Sequence, residues 1–264
     1  MKLLARRRCG VLLLSTLLPM LWNASTGTAQ ESAAPVEVSF EHRIPDTVTG
    51  FVRIPSVAEL RSRLSECSLG QLARDESLRD LRATIIGRIR DDLQNSRFLP
   101  PGASLEEWLS LASGEVGIAS FAPTDGRASI VLSVEFDQTP NAVDDLLKRM
   151  TAAAVTAGWT RSTVSMPADP SEANPPVLHL TRPSKSQRAR PAQRDREIVV
   201  VRHGSHLVVS NSLAALVEVM RRWDGTPEGA FSGQEAWLKI RARFAASGRE
   251  PGVLWFVDPV DLTG

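Results

Sequence analysis

The runs Gly114-Glu115-Val116-Gly117-Ile118-Ala119-Ser120-Phe121 and Ala128-Ser129-Ile130-Val131-Leu132-Ser133-Val134-Glu135-Phe136, joined around Thr124-Asp125-Gly126-Arg127, decide the architecture. Upstream, apolar residues recur at helical spacing; from Gly114 onward the period falls to two, the period of a strand with one buried face. Ile130, Leu132, Val134 and Phe136 share a face, and Asp125-Gly126 supplies the positive φ that a hairpin turn needs. A helix follows at once. Thr139 caps it, Pro140 fits its first turn, Val143, Leu146, Leu147, Met150 and Ala154 form its apolar side, and Gly158 closes it. Strands are expected over 159–166 and 177–182.

The same order returns nearer the C-terminus. Residues 198–202 and 206–210 read as a hairpin through His203-Gly204-Ser205, Ser212 caps a helix bearing Leu213, Leu216, Val217, Met220 and Trp223, and Asp224-Gly225 ends it. Ser232 opens a helix with Trp237, Ile240 and Phe244, and residues 252–257 form a last strand. The expected fold class is α+β: small antiparallel sheets with helices packed on one face, in an order compatible with two related units. Ahead of both, residues 46–55 read as a strand. Ser56-Val57-Ala58-Glu59 is a capping box opening a helix with Val57, Leu60 and Leu64 on one side. A longer helix over 76–94 carries Leu78, Leu81, Ile85, Ile89 and Leu93, and a short one opens at Ser104 and includes Trp108.

The N-terminus is an address. Lys2, Arg6, Arg7 and Arg8 precede an apolar run over 9–22, and Gly27 and Ala29 are the small residues of a cleavage site, so residues 1–29 read as a signal peptide. The run is shorter than the roughly 20 residues of a spanning helix and contains Pro19, which favours cleavage over the alternative, an uncleaved membrane anchor. The product is then exported, periplasmic or extracellular. The expected organisation is a flexible lead-in over 30–43, a first α+β unit over 44–182, a basic disordered loop over 183–196 and a second, incomplete α+β unit over 197–264.

Composition sets limits. The 264 residues are 42% hydrophobic and 23% charged, which excludes a disordered tail, a fibre and a polytopic membrane protein. Loss of the four leader cations turns a formal charge of +1 into −3, which gives no electrostatic case for nucleic acid. Cys67 becomes the only cysteine and has no intrachain partner for a disulfide; a buried, inert position against a helix is expected for it.

No standard nucleotide, zinc or hydrolase motif is present. No cofactor is implied. The local candidates for a metal or nucleophile–base site are His203 and His206, two imidazoles flanking one turn, but no third ligand or orienting carboxylate is near them in sequence, so a polar hairpin tip is expected. Arg182, Lys185, Arg188, Arg190, Arg194 and Arg196, against Asp195 and Glu197, make the 183–196 loop and its flanks basic, with weak contact to an anionic envelope surface as its conceivable role. Trp223, Trp237 and Trp255 have the spacing of core anchors, which leaves Trp108 and Trp159 as the pair on which a sugar platform would rest. Glu106-Glu107 and Asp144-Asp145 sit in first helical turns, where the helix dipole favours negative charge.

Ile44-Pro45-Asp46-Thr47-Val48-Thr49-Gly50-Phe51-Val52, Ser68-Leu69-Gly70-Gln71-Leu72, His206-Leu207-Val208-Val209-Ser210-Asn211-Ser212 and Trp255-Phe256-Val257-Asp258-Pro259 together resemble an uncharacterised family of exported bacterial proteins, of the domain-of-unknown-function type. The resemblance spans most of residues 44–262 and rests on turns and caps. It implies no activity, cofactor or catalytic residue, and it implies a truncated member, because such proteins are usually longer. The function expected is a non-enzymatic binding or structural envelope protein. The alternative is a hydrolase or metal-dependent enzyme with a site near His203 and His206, or completed by a missing C-terminal part.

Overall fold

The alternation that begins near Gly114 is realised as β2 (Ala112–Thr124) and β3 (Arg127–Phe136), paired antiparallel with Val116 opposite Val134 and Ile118 opposite Leu132. The chain is seen in a computed structural model that describes residues 38–81, 83–84, 87–88, 102, 105–124, 127–136, 140–164, 176–182, 196–223, 228–246 and 251–258. The expected leader, the turn residues Asp125-Gly126 and all of the basic loop but Arg196 lie outside the described residues. β1 (Val48–Ile54) pairs with β2, and β4 (Thr160–Val164), β5 (Val177–Arg182), β6 (Arg196–His203), β7 (His206–Ser210) and β8 (Leu254–Val257) complete the strands.

All eight form one antiparallel sheet, in the order β4-β5-β6-β7-β3-β2-β1-β8. The expectation of small sheets is therefore corrected: the hairpins join edge to edge where β3 pairs with β7, Leu132 opposite Val209. After β3 the chain crosses through helix α5 (Pro140–Thr156) to β4, which lies beside β5. After β7 it crosses through α6 (Leu213–Met220) and α7 (Glu235–Ala246) to β8, which lies beside β1. Each half thus ends in a strand that closes the edge of the other half.

Helices cover both faces, not one. On the first face Ile54, Val116, Val134, Val200 and Val209 meet Val57 and Leu60 of α2 (Val57–Glu66), Trp108 of α4 (Leu105–Leu111), and Val143, Leu146 and Met150 of α5. On the second face Phe51, Ala119, Val131, Val199 and Val208 meet Phe40 of α1 (Phe40–Arg43), Leu216 and Val219 of α6, Phe231 and Trp237. The reason lies in the central strands. Ile198-Val199-Val200-Val201 and Leu207-Val208-Val209 are unbroken apolar runs, so both pleats need cover.

Local rules hold at the helix ends. Ser56 Oγ accepts the Glu59 amide at 3.1 Å, Ser212 Oγ accepts that of Ala215 at 3.4 Å, and Gly158 ends α5 at φ 82°. The Glu59 carboxylate, however, pairs with Arg63 rather than closing the capping box. The helix expected over 76–94 starts as a 3-10 turn, Glu76–Leu78; residues 79–81, 83–84, 87 and 88 are helical, and the rest of it lies outside the described residues. Cys67 is exposed rather than buried; its sulfur accepts the Gly70 amide at 3.4 Å and caps α3 (Ser68–Arg74). No helix among the described residues is long and apolar enough to cross a membrane.

Candidate functional site

The segment expected as a flexible lead-in contributes Glu41 and Arg43 to a buried cluster of charged groups. Residues 40–43 form α1, and Phe40 is completely buried because β2 has no side chain at Gly117: a Cβ there would lie 2.3 Å from Phe40 Cγ. Seating that ring brings Glu41 and Arg43 under the sheet, where they are 1% and 3% exposed. Arg53 of β1 and Glu115 of β2 project from the same face, since Arg53 pairs with both Gly117 and Leu254 across the sheet.

These groups pair with one another, with Glu41 Oε2 left without a hydrogen-bond donor among the described residues. The Phe40 amide donates to Glu115 Oε1 at 3.2 Å, and Arg53 Nε donates to the same oxygen. Arg53 Nη1 lies 3.3 Å from Glu41 Oε1, and Arg43 Nη1 lies 3.9 Å from Glu115 Oε2. Glu135 Oε2 accepts the Glu115 amide at 2.6 Å, with its carboxylate filling the space left by Gly114. Burial pushes the Glu115 carboxyl up, against the pull of Arg53 and Arg43. Arg43, Arg53, Glu41 and Glu115 at this depth form a buried ion cluster that is costly to break, and Arg241 reaches it from the solvent side, its Nη1 4.0 Å from Glu41 Oε1.

The hairpin at His203-Gly204-Ser205-His206 exposes its turn, Gly204-Ser205, while its His206 end faces this cluster. Gly204 takes φ 55°, and His206 is 3% exposed. Both imidazoles pack on Trp223, with ring centres 5.3 and 5.1 Å away, and the Arg43 guanidinium lies 4.3 Å over the same indole. Arg43 Nη1 is 3.3 Å from His206 Nε2. Burial first, and the Arg43 charge second, lower the His206 pKa to about 4, so the ring is neutral at pH 7. A metal at Nε2 would have to displace a guanidinium, and no group of three or more His, Cys, Asp or Glu fit to hold a metal occurs among the described residues.

The tryptophans exchange roles. Trp108 and Trp159, the expected sugar-platform pair, are 1% and 7% exposed and belong to the first core, while Trp223 and Trp237 are buried as expected. Trp255, expected as a core anchor, is 58% exposed. Its parity explains this: Leu254 and Phe256 face the second core, so Trp255 and Val257 point the other way, on the outermost strand of the sheet. Of the acidic pairs, Glu107 binds Arg149 at 2.6 Å and ties α4 to α5, Asp144 binds Arg202 at 3.3 Å, and Asp145 lies 3.5 Å from Lys148.

The two sheet edges differ in chemistry. β4 at one end is Thr-Arg-Ser-Thr-Val, almost wholly solvated; β8 at the other is Leu-Trp-Phe-Val with no charged or polar side chain. The Asp258 amide donates to Thr49 O at 2.8 Å, toward β1. Backbone direction alternates in an antiparallel ladder, so the amides and carbonyls of Trp255 and Val257 point outward. Sequence reading missed this edge and the ion cluster. The signals were present as Arg53 and Glu115, single charges inside otherwise apolar strands, and as Trp255 out of phase with Leu254 and Phe256. No family model, curated protein or solved structure matches the chain.

Proposed function

We propose that this chain is an exported, non-enzymatic binding or structural protein of the bacterial envelope that works through the β8 edge. The observation that carries this reading is Trp255, 58% exposed on a strand whose outer backbone groups have no partner strand among the described residues. The charged groups that converge do so in the interior, on one another, and hold α1 against the sheet. The leader over 1–29 supplies the route of export, and the order shared by the two halves supports reading them as related units. The resemblance to exported bacterial proteins of unknown function agrees with both.

The test joins processing to binding. The product secreted by a bacterial host is expected to have the mass of a chain beginning at Gln30 and to co-sediment with envelope fragments. Trp255→Ser is expected to abolish co-sedimentation with the circular dichroism spectrum unchanged. A product retaining residues 1–29 in the cytoplasm, or a Trp255→Ser protein that sediments like the wild type, overturns the reading.

A further inference from the structure

Building on that reading of the β8 edge, we propose that its occupant is β8 of a second copy of this chain, paired antiparallel about Phe256 so that two sheets become one. The register follows from the outward-facing groups. Residues 255 and 257 present their amides and carbonyls to the open side, so a two-fold pairing centred on Phe256 sets each Trp255 opposite the Val257 of the other copy. Each such pair exchanges two backbone hydrogen bonds, as hydrogen-bonded pairs in antiparallel ladders do. Both side chains, 58% and 38% exposed, then lie together on the first-face side, an aromatic against a β-branched residue on each side of the axis.

Charge agrees with this register. Asp258 of each copy falls opposite Leu254 of the other, so no like charges meet, and Leu254–Val257 carries none of the lysine, arginine or proline that natural sheets place on edges to prevent pairing. The opposite edge does carry such protection, in Arg161 and its hydroxyl neighbours. A second copy also matches the edge in length by construction of the symmetry, because an isologous contact uses the same four residues twice. Area sets the strength. A four-residue edge with one tryptophan a side covers about half of the roughly 800 Å² per partner of a standard stable interface. The dimer is therefore weak and strongly concentration-dependent.

Sedimentation velocity of the processed chain over about three decades of concentration, up to roughly the millimolar range where contacts below standard size associate, is expected to show a monomer–dimer equilibrium. Val257→Lys and Trp255→Ser are each expected to shift it at least tenfold toward monomer. Val257→Pro, which removes an outward amide and leaves the bonds to β1, is expected to do the same. Near-ultraviolet circular dichroism verifies that each variant is folded. A wild-type chain that stays monomeric throughout, or a dimer unaffected by both Val257 variants, overturns the pairing. A monomeric wild type whose envelope co-sedimentation is still lost in Trp255→Ser sinks the self-pairing alone. A dimer lost in Trp255→Ser with co-sedimentation intact sinks the envelope reading alone.

Discussion

The face of the sheet beneath α5 is closed by Val143, Leu146, Met150, Trp108 and their strand partners, whereas the face beneath α1 and α6 adds charged groups to its apolar core. All buried polar and charged residues among those described belong to this second face: Glu41, Arg43, Arg53, Glu115, Ser133, His206 and Ser210. The first face tolerates change in proportion to volume, since its interactions are non-directional. The second has directional partners shared among several groups, with Glu115 serving the Phe40 amide, Arg53 and Arg43, so the loss of one group strands others. Apolar packing accounts for the association of sheet and helices; the ion cluster specifies where residues 40–43 sit.

The sharpest test of this contrast is Glu115→Ala, which leaves Arg53 and the Phe40 amide facing an empty site. A loss of about 3–5 kcal/mol in urea unfolding is expected. The double replacement Arg53→Met/Glu115→Leu is expected to recover only part of it, because the apolar pair itself carries no desolvation cost while Glu41 loses Arg53 and the Phe40 amide loses its acceptor. Full additivity of the two single losses would show that the cluster is not coupled. On the first face Leu146→Ala should cost about 3 kcal/mol, through lost transfer energy and a residual cavity. No second-site charge change is expected to rescue it.

Acid should separate the faces next. The folded protein keeps His206 neutral down to about pH 4, while the unfolded chain takes up a proton near pH 6.5. His206's contribution to stability is thus complete above pH 6.5 and is lost as pH drops toward 4, by roughly 2–3 kcal/mol for a shift of this size. Glu115 acts in the opposite sense: with its folded pKa raised, its contribution is greatest in acid and is lost as pH rises through that value. The comparison of wild type with His206→Gln isolates the first effect. The variant should lose less stability between pH 6.5 and 4, and equal slopes would place the proton uptake elsewhere. The smallest effect belongs to the edge. Trp255→Ser should change monomer stability by under about 0.5 kcal/mol, because an exposed side chain gives up little on replacement.

Much of the fold was legible because it depends on periods of two and 3.6 and on caps. The hairpins around Asp125-Gly126 and Gly204-Ser205, the Ser56 and Ser212 caps and the Gly158 stop all occur where local chemistry places them. The depth of burial was only partly legible. Val199 and Val201 alternate with Ile198 and Val200 in one unbroken apolar run, the mark of a strand covered on both sides, although the expected arrangement had helices on one face. The site was legible least. Glu41 and Arg43 look like ordinary surface charges in a polar lead-in, and only the absence of a Cβ at Gly117, some 75 positions away, lets Phe40 draw them inside. His206 looks like a turn residue until Trp223 covers it.

Sequence by itself determined the strand and helix units, their caps and the near-neutral charge of the chain, because each rests on the order and kind of neighbouring side chains. Tertiary structure decided that the hairpins merge into one sheet, that Trp108 and Trp159 lie inside while Trp255 lies outside, and that four charges share one interior. Those outcomes depend on which strand becomes an edge and which face receives which helix. They are set by pairing and burial across long separations, where a hydrogen-bond ladder or an ion pair joins residues that carry no local mark of one another.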